Sequence, residues 1–368
     1  MMTTVILGAG ATRGASRVSF SRLPPLLKDL PTVISNYLFA LNRPADEPNA
    51  AKIFNDLIDL TQSRDNIEVY CTVLHLLGRM SAMINPRHVF LNDEEIKRVL
   101  EDGVIENYFR DGELAAKART IILYFHGKGE NSLLPNYPAN FETFFHGSIR
   151  DYLYHALPSC FCNYHAKLFE TLCENDCVVN FNYDEVGDFT LFSSNRLSEK
   201  SFEGLPFDST QFPKDIASDC RPLRYLKVHG SLNWRTEISD YKKFVYYELI
   251  SESCRKTPKG NTFYPVILPT LTKEIIYREH PIYSSHIAEF YSALNSSEKI
   301  VLAGKSFKNS DKVLNDSIKE SRAHRRCSLT IIDPLIRDEE FIKFHEHLFN
   351  GTCDARYSTL REFSERSP

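Results

Sequence analysis

A glycine-rich segment near the start of the chain is the first feature whose residue types and spacing could do chemistry. Gly8-Ala9-Gly10-Ala11 and Thr12 directly follow the run Thr4 to Leu7, and this order predicts a strand that enters a tight turn. Glycines in such a turn let backbone N–H groups approach a phosphate, and a following helix adds its positive N-terminal end. The third glycine, Gly14, is one residue late for the dinucleotide fingerprint, so nucleotide binding and a purely structural turn both stay open.

Polar and glycine-containing motifs follow other predicted strands much later in the chain. They are Asn182-Tyr183-Asp184, His229 with Gly230-Ser231, and Gly304-Lys305-Ser306. A histidine at the end of a buried strand can face a cleft, and imidazole titrates near neutral pH. Each motif also has a structural interpretation, since Asn and Asp make turns for backbone reasons and a glycine-serine turn can cap a helix. The third motif is not a Walker A motif, because Lys299 replaces its first glycine.

Short apolar segments predict the strands that position these motifs. Besides Thr4 to Leu7, they are Cys177 to Phe181, Tyr225 to Val228, Val266 to Leu268, Lys299 to Ala303 and Leu329 to Ile332. All are bounded by turn-prone residues, as is typical of strands buried in a parallel sheet. The sequence therefore predicts an α/β domain formed by residues 1–19 and 170–350.

The chain between residues 20 and 169 has a different pattern, with apolar residues at three- and four-residue spacing. This spacing predicts a helical domain inserted after the first strand. The predicted helices cover Ala51 to Leu60, Ile67 to Met83, Asp93 to Tyr108, Glu113 to Phe125 and Phe141 to Leu157. Residues 351–368 are polar and are predicted to form a docked or frayed tail, and Arg322 to Arg326 a solvated, basic helix end.

Composition excludes several classes of protein. The 368 residues are 42% hydrophobic and 25% charged, which is typical of a globular chain. The net charge of -4 does not call for a nucleic-acid partner. The N-terminus has no basic n-region, and no apolar run is long enough to span a bilayer. We therefore expect a cytoplasmic protein without a signal peptide, a transmembrane segment or a membrane partner.

Nine cysteines are scattered along the chain, as in proteins with reduced, cytosolic thiols. None belongs to a paired C-x2-C motif, so we expect no structural zinc and no other metal site. Cys173 and Cys177 are spaced by one helical turn, which predicts a shared helix face in the core.

Five fragments, taken together and in order, resemble the sirtuin-like NADase domains of bacterial antiphage defence proteins. The fragments are Gly8-Ala9-Gly10-Ala11, Asn182-Tyr183-Asp184, Lys227-Val228-His229-Gly230-Ser231, Gly304-Lys305-Ser306-Phe307 with Asp311, and Ile332-Asp333-Pro334. The resemblance covers the first strand and most of residues 170–345, and it is looser in the helical block. It implies a Rossmann-like, NAD-binding α/β fold with a parallel sheet and a large helical insertion after the first strand.

The resemblance also implies contacts to a dinucleotide. By this likeness, Gly8 to Ala11 cradle the pyrophosphate and Asp333 lies at the adenosine ribose. Ser306, in the segment from Gly304 to Asp311, is implied to lie near a ribose or the phosphates. Thr12 stands where the family often has a serine, and it joins the implied cofactor contacts.

At the nicotinamide end, the resemblance implies that Asn182 and His229 flank the ribose and that Asp184 supports Asn182. The implied activity is that of an NAD+ glycohydrolase, which hydrolyses its substrate NAD+ to ADP-ribose and nicotinamide. Such an enzyme acts as a toxic effector of antiviral defence by abortive infection, because it depletes cellular NAD+. His229 is expected to be the base that handles a ribose hydroxyl or the water proton, and Asn182 to orient the water or the ribose.

Two alternative functions and two kinds of assembly accompany this expectation. The same fold serves protein deacylases and ADP-ribosyltransferases, although deacylating sirtuins carry two paired C-x2-C motifs that this chain lacks. A non-catalytic subunit that binds NAD or ADP-ribose is the second alternative. Because NAD+ destruction is toxic, we expect control through assembly, either as a homo-oligomer or on a separate hexameric HerA-type ATPase.

Overall fold

A computed structural model describes residues 2–13, 32, 35, 50–64, 67–84, 93–101, 103–109, 111–128, 160–208, 220–231, 233–235, 245–247, 277, 281–308 and 312–366. The chain divides into two compact units. The larger unit comprises Met1–Pro24, Leu153–Leu268 and Lys273–Pro368, and the smaller unit comprises Pro25–Tyr152 and Pro269–Thr272.

The larger unit contains a sheet of six parallel strands. In chain order, the described strands are β1 (Thr3–Leu7), β2 (Cys177–Asn180), β3 (Phe207–Asp208), β4 (Arg224–Lys227), β5 (Trp234–Arg235), β6 (Val245–Tyr247), β7 (Lys299–Ala303), β8 (Cys327–Ile332) and β9 (Gly351–Tyr357). The large sheet has the order β4-β2-β1-β7-β8-β9, and β3, β6 and β5 form a separate small sheet. Counted along the chain, the large sheet runs 3-2-1-4-5-6, the doubly wound order of Rossmann folds. The predicted Rossmann-like α/β fold with a parallel sheet is therefore confirmed.

The central strands are apolar because both of their faces are covered. β1 pairs with β2 on one side and with β7 on the other, and all five of its residues are buried. Val5 in β1, Val178 in β2 and Ile300 in β7 are each fully buried. A strand in this position has no solvent face, so it reads as a continuous apolar run rather than an alternating one.

The described elements of the smaller unit are all helices. They are α1 (Ala50–Leu60), α2 (Ile67–Ile84), α3 (Asp93–Glu101), α4 (Val104–Phe109) and α5 (Gly112–Gly127). The single helix predicted over Asp93 to Tyr108 is two helices, because Gly103 between them has a φ of 66°. The predicted segments Phe141 to Leu157 and Val266 to Leu268 lie outside the described residues.

Within the described residues of the larger unit, six α-helices flank the sheet in addition to the helical residues 9–13. They are α6 (Asn163–Glu170), α7 (Val186–Ser193), α8 (Pro281–Ser296), α9 (Lys312–Arg322), α10 (Glu339–Phe349) and α11 (Leu360–Arg366). α10 begins after Asp338, whose side chain accepts hydrogen bonds from the N–H groups of Glu340 and Phe341. It ends at Asn350, which adopts the left-handed conformation with a φ of 49°. None of the described helices is both long and apolar enough to cross a membrane.

The end of the chain differs from the predicted tail over residues 351–368. β9 is the sixth strand of the sheet, paired with β8, and α11 follows it. Residues along β9 alternate between half-buried and exposed, since β9 forms an edge of the sheet. Such a strand needs no continuous apolar run, which is why its polar residues did not indicate a strand.

Arg322 is fully buried. The predicted solvated, basic helix end is therefore wrong at this residue. Its guanidinium donates to the carbonyl oxygens of Leu294 and Ser297, at the end of α8, and to that of Phe349, at the end of α10. Helix C-termini leave carbonyl groups without partners inside the helix and carry partial negative charge. One arginine therefore caps two helices from inside the larger unit.

Candidate functional site

The carboxyl ends of five parallel strands lie at one level of the sheet. Lys227 of β4 is aligned with Asn180 of β2, Asn180 with Leu7 of β1, Leu7 with Ala303 of β7, and Ala303 with Ile332 of β8. Because the strands are parallel, the residues that follow this row all leave at the same edge of the sheet. The predicted site residues at this edge are Gly8, Asn182, His229, Gly304 and Asp333. They lie on both sides of the switch point between β1 and β7, where Rossmann folds bind ligands.

Two glycine turns meet at the switch point. Gly8 N donates to Ala303 O at 2.9 Å, Gly10 N to Gly304 O at 3.0 Å, and Ala11 N to Gly8 O at 2.8 Å. A Cβ on Gly304 would lie 2.0 Å from Ala11 N, and one on Gly8 would lie 2.4 Å from Gly304 O. Close approach of the two backbones therefore requires these glycines. The N–H groups of Gly8, Gly10 and Ala11 already donate to carbonyl oxygens, so a bound pyrophosphate would have to contact other groups of this segment. The pyrophosphate contact stays a prediction.

The amide of Asn182 is held in one orientation. Its Nδ2 donates to Gly8 O at 3.0 Å and to Thr12 Oγ1 at 3.3 Å, and its main-chain N–H donates to Asn180 Oδ1 at 2.8 Å. A carbonyl oxygen only accepts, so Nδ2 must face Gly8. Asn182 Oδ1 is the remaining polar atom, and no described residue donates to it. The side chain is 5% exposed, so it belongs to the interior edge of the site rather than to an open surface.

Asp184 is linked to Asn182 through the hydroxyl of Thr12. Thr12 Oγ1 donates to Asp184 Oδ2 at 3.0 Å, and Val186 N donates to Asp184 Oδ1 at 3.0 Å. Burial raises the pKa of Asp184, while the nearby Lys227 ammonium opposes that shift. The support of Asn182 by Asp184 is therefore indirect in this geometry.

A fully buried ion pair lies behind this carboxylate. Lys227 Nζ is 2.9 Å from Asp188 Oδ2, and neither side chain is exposed to solvent. Lys227 Nζ also donates to the main-chain oxygen of Asp184 at 2.8 Å. Asp188 accepts two further hydrogen bonds, from Tyr225 OH at 2.8 Å and from Asn233 Nδ2 at 3.0 Å. A buried carboxylate with three donors is well satisfied, so the pair ties β4 firmly to α7.

Asn180 connects the ion pair to Asn182. Its Nδ2 donates to Tyr225 OH at 2.8 Å, and its Oδ1 accepts from Asn182 N. We call the connected set the polar cluster, and its members are Thr12, Asn180, Asn182, Asp184, Asp188, Tyr225, Lys227 and Asn233. Sequence reasoning assigned no role to Asn180, Asp188, Tyr225, Lys227 or Asn233. For Asn180, Tyr225 and Lys227, the available signal was a polar residue inside an otherwise apolar strand segment, at a position that a parallel sheet buries. Asp188 lies in α7 and Asn233 lies outside the strands, so that signal does not cover them.

His229 lies two residues beyond β4 and is 7% exposed. The following turn depends on Gly230, which has a φ of 82° and donates its N–H to Lys227 O at 3.3 Å. The imidazole packs edge-on against the ring of Phe181, with ring centroids 4.9 Å apart. His229 is thus held by its backbone turn and by an aromatic contact, next to the segment that carries Asn182.

Lys305 brings a positive charge to the same aromatic group. Its Nζ lies 4.6 Å from the ring centroid of Phe181 and 5.2 Å from that of Phe307, which are cation–π distances. The sequence motif named Gly304 and Ser306 but not Lys305 as a contact. Ser306 itself is exposed, and its Oγ accepts a hydrogen bond from Lys308 N at 3.3 Å. Its predicted contact with the substrate stays a prediction.

Asp333 follows β8 and is half-buried. Its Oδ1 accepts from Leu335 N at 2.9 Å, and its main-chain N–H donates to Tyr357 O at 2.9 Å. Burial raises the pKa of its carboxyl group. The role at the adenosine ribose stays a prediction, and Asp311 lies outside the described residues.

Cysteines and other metal-binding side chains do not cluster in the described segments. Within them, no group of three or more His, Cys, Asp or Glu side chains could hold a metal ion. The predicted helix face shared by Cys173 and Cys177 is wrong, because Cys173 lies beyond the end of α6 and Cys177 begins β2. Burial raises the pKa of Cys177 to about 12, so this thiol stays protonated.

Comparison with known proteins finds no protein-family model and no curated protein that matches this chain. The fold and the site define a Rossmann-like α/β protein whose switch point is flanked by a buried polar cluster.

Proposed function

We propose that this protein is an NAD+ glycohydrolase that cleaves NAD+ with water to ADP-ribose and nicotinamide. The observation that carries the proposal is that Asn182 and His229 follow the adjacent strands β2 and β4 at the carboxyl edge of a doubly wound parallel sheet. Sheets with this strand order bind dinucleotides across the crevice at their switch point. The glycine turns of β1 and β7 meet at that point.

Charge at the switch point supports an anionic ligand. Lys305 follows Gly304 directly, and Arg13 lies in the helical residues 9–13 that follow the first glycine turn. Both side chains are half-buried at the edge of the sheet. Ammonium and guanidinium groups are the usual partners of phosphates, so a pyrophosphate suits this part of the site.

The proposed reaction assigns separate tasks to Asn182 and His229. The bond between the ribose and the nicotinamide nitrogen breaks, and its electron pair leaves with nicotinamide. Water attacks the ribose carbon, and His229 accepts the proton that the water loses. Asn182 accepts a hydrogen bond through Oδ1 and so orients the water or a ribose hydroxyl.

Incubation of the purified protein with NAD+ tests the proposal. Chromatography should detect nicotinamide and ADP-ribose in equal amounts, with no acyl acceptor or protein substrate added. Transfer of ADP-ribose or loss of an acyl group from a protein, without hydrolysis of free NAD+, would instead select the ADP-ribosyltransferase or deacylase alternative. Intact NAD+ under every assembly condition would contradict enzymatic cleavage.

A non-catalytic subunit that binds NAD or ADP-ribose is the second candidate. The small exposed fraction of His229, 7%, favours it, because a general base must reach water. Calorimetry with NAD+ separates the two candidates. Tight binding with no nicotinamide release, alone or in an assembly, selects the binding subunit.

We also propose that the protein is a cytoplasmic effector of antiviral defence whose toxicity is controlled by assembly. Among the described residues, the exposed large apolar side chains are Leu60, Met83, Leu123, Phe161 and Leu335. Three of these belong to helices α1, α2 and α5, and their burial in a subunit contact is part of this proposal. Light scattering over a concentration series, alone and with a HerA-type ATPase, tests this part. A monomer with full activity would contradict control by assembly.

A further inference from the structure

Thr12 has a different role from the direct cofactor contact that the family resemblance implies. We infer that its hydroxyl fixes the amide of Asn182, so that Asn182 Oδ1 meets a hydrogen-bond donor on the substrate or the attacking water. Thr12 is then a positioning residue that acts through Asn182. This inference rests on the proposed cleavage of NAD+. It adds that Asn182 acts as a hydrogen-bond acceptor towards the substrate or the water.

Only one arrangement of protons fits the three side chains. Asn182 Nδ2 must donate to the Gly8 carbonyl, 3.0 Å away, because that oxygen cannot donate. Thr12 Oγ1 gives its single proton to Asp184 Oδ2 at 3.0 Å, because the amide nitrogen of Asn182 cannot accept it and the carboxyl oxygen can. Thr12 Oγ1 is then the acceptor for the second amide proton of Asn182, at 3.3 Å. Donation therefore runs from Asn182 to Thr12 and from Thr12 to Asp184.

The surroundings hold this relay in place. Thr12 is 1% exposed, so its hydroxyl is shielded from solvent and engaged on both sides. Val186 N binds the other oxygen of Asp184, and Lys227 Nζ binds its main-chain oxygen at 2.8 Å. Asp184 therefore offers Thr12 a fixed acceptor. Both amide protons of Asn182 are engaged within the protein, which leaves Oδ1 as the atom for a ligand.

Because Asn182 Oδ1 is a hydrogen-bond acceptor, the group that it contacts must be a hydrogen-bond donor. Near the bond that breaks, the two donors are a ribose hydroxyl and the attacking water. A hydroxyl bound by Asn182 already in the enzyme–substrate complex contributes to KM as well as kcat. A water that is oriented only for attack contributes to kcat alone. The kinetic constants of a Thr12 variant therefore distinguish these two donors.

The variants Thr12→Val and Thr12→Ser form a matched pair. Valine keeps the shape of threonine but removes the hydroxyl, so the Asn182 amide loses one of its two anchors. We expect kcat for NAD+ cleavage to fall about 100-fold, the usual scale for a misplaced reacting group. Serine keeps the hydroxyl and should restore most of the lost activity. Wild-type kcat in Thr12→Val, or equal losses in both variants, would overturn the inference.

The same substitution in an Asn182→Ala background tests whether Thr12 acts through Asn182. If it does, Thr12→Val causes no further loss of kcat once the amide is gone. A further loss of the same size, about 100-fold, would show that Thr12 acts independently, and it would overturn the positioning role.

A stability cycle on the same three variants tests the relay without NAD+ turnover. Urea midpoints of Thr12→Val, Asn182→Ala and the double variant should be non-additive, because both single changes break the same hydrogen bond. Additive shifts would overturn the relay. If the native protein fails to cleave NAD+, the proposed function fails, and this cycle still decides whether Thr12 holds Asn182.

Discussion

The carboxyl edge of the sheet is built in two different ways on the two sides of β1. At the switch point, β1 and β7 meet through bare backbone, with glycines where any side chain would collide with the neighbouring turn. Between β2 and β4, the polar cluster joins the strands through side chains that hydrogen-bond to one another. The contact between β1 and β7, which we call the backbone half, requires the absence of side chains. The contact between β2 and β4, which we call the side-chain half, depends on hydrogen bonds between side chains.

This difference determines what each half tolerates. A backbone contact at 3.0 Å has no room for even one added carbon atom. A side-chain cluster accepts a substitute that has the same shape and keeps the hydrogen bonds, but it fails when one member of a charge pair is removed. Substitutions in the two halves should therefore differ in size and in whether a second change can rescue them.

Gly304→Ala should have the largest effect on stability. Gly304 has a φ of 60°, and its added Cβ would lie 2.0 Å from Ala11 N. Strain and collision together should lower the free energy of unfolding by more than about 5 kcal/mol, which removes a large part of the stability of a typical domain. Urea unfolding followed by circular dichroism measures it.

Gly127→Ala is the matched control for that change. No atom lies within 4 Å of a Cβ at this position, at the end of α5, so the midpoint should stay close to wild type. Similar losses for both alanine variants would contradict the close packing of the two glycine turns.

Lys227→Met should have the next largest effect. It leaves the Asp188 carboxylate buried without its counter-charge, which typically costs about 3–5 kcal/mol. Unlike the glycine change, this loss should be partly reversible. The double variant Lys227→Met with Asp188→Asn no longer carries the unpaired Asp188 carboxylate, so its urea midpoint should recover part of the way towards wild type. A double variant less stable than Lys227→Met alone would argue against the ion pair as the source of the loss.

Acid should weaken the side-chain half through His286. Its Nδ1 accepts a hydrogen bond from Lys227 N at 3.1 Å, and burial lowers its pKa to about 3. The unfolded chain binds this proton near pH 6.5, so between pH 6.5 and about 3 the unfolded state holds more protons than the native state. Stability should therefore fall as pH falls, by up to about 1.4 kcal/mol per pH unit.

His286→Asn tests the origin of this slope. Asparagine keeps an acceptor near the position of Nδ1 but does not titrate in this range. The dependence of unfolding free energy on pH should become shallower in the variant. Some slope should remain, because burial also lowers the pKa of His165 to about 4. An unchanged slope would exclude His286 as a contributor.

The two halves also differ in how far the sequence reveals them. The glycine turns could be predicted, because glycine directly after an apolar strand is typical of a tight turn. The alignment of five strand ends follows from parallel pairing, so the positions of Asn182 and His229 at one edge could be expected too. The interactions of Lys227 with Asp188 could not, since partners 39 positions apart meet only after the strands and helices have packed.

The strand β9 and the burial of Arg322 also could not be predicted from the sequence, for related reasons. β9 is polar because one side of an edge strand contacts solvent, and its register depends on β8 rather than on its own composition. Arg322 has the sequence signature of an exposed basic helix end. Its burial depends on the ends of α8 and α10, which only the tertiary fold brings to it.

The rate of nicotinamide release by His229→Ala tests the central claim most directly. The control is His324→Ala, because His324 is exposed and lies in the turn after α9, before β8 begins. Native protein and this control should release nicotinamide from NAD+ at similar rates. His229→Ala should be slower by about 10²–10⁴-fold, the usual loss when a general base is removed, while its NAD+ affinity stays near the native value. Equal turnover in native protein and His229→Ala would contradict catalysis at the carboxyl edge of β4.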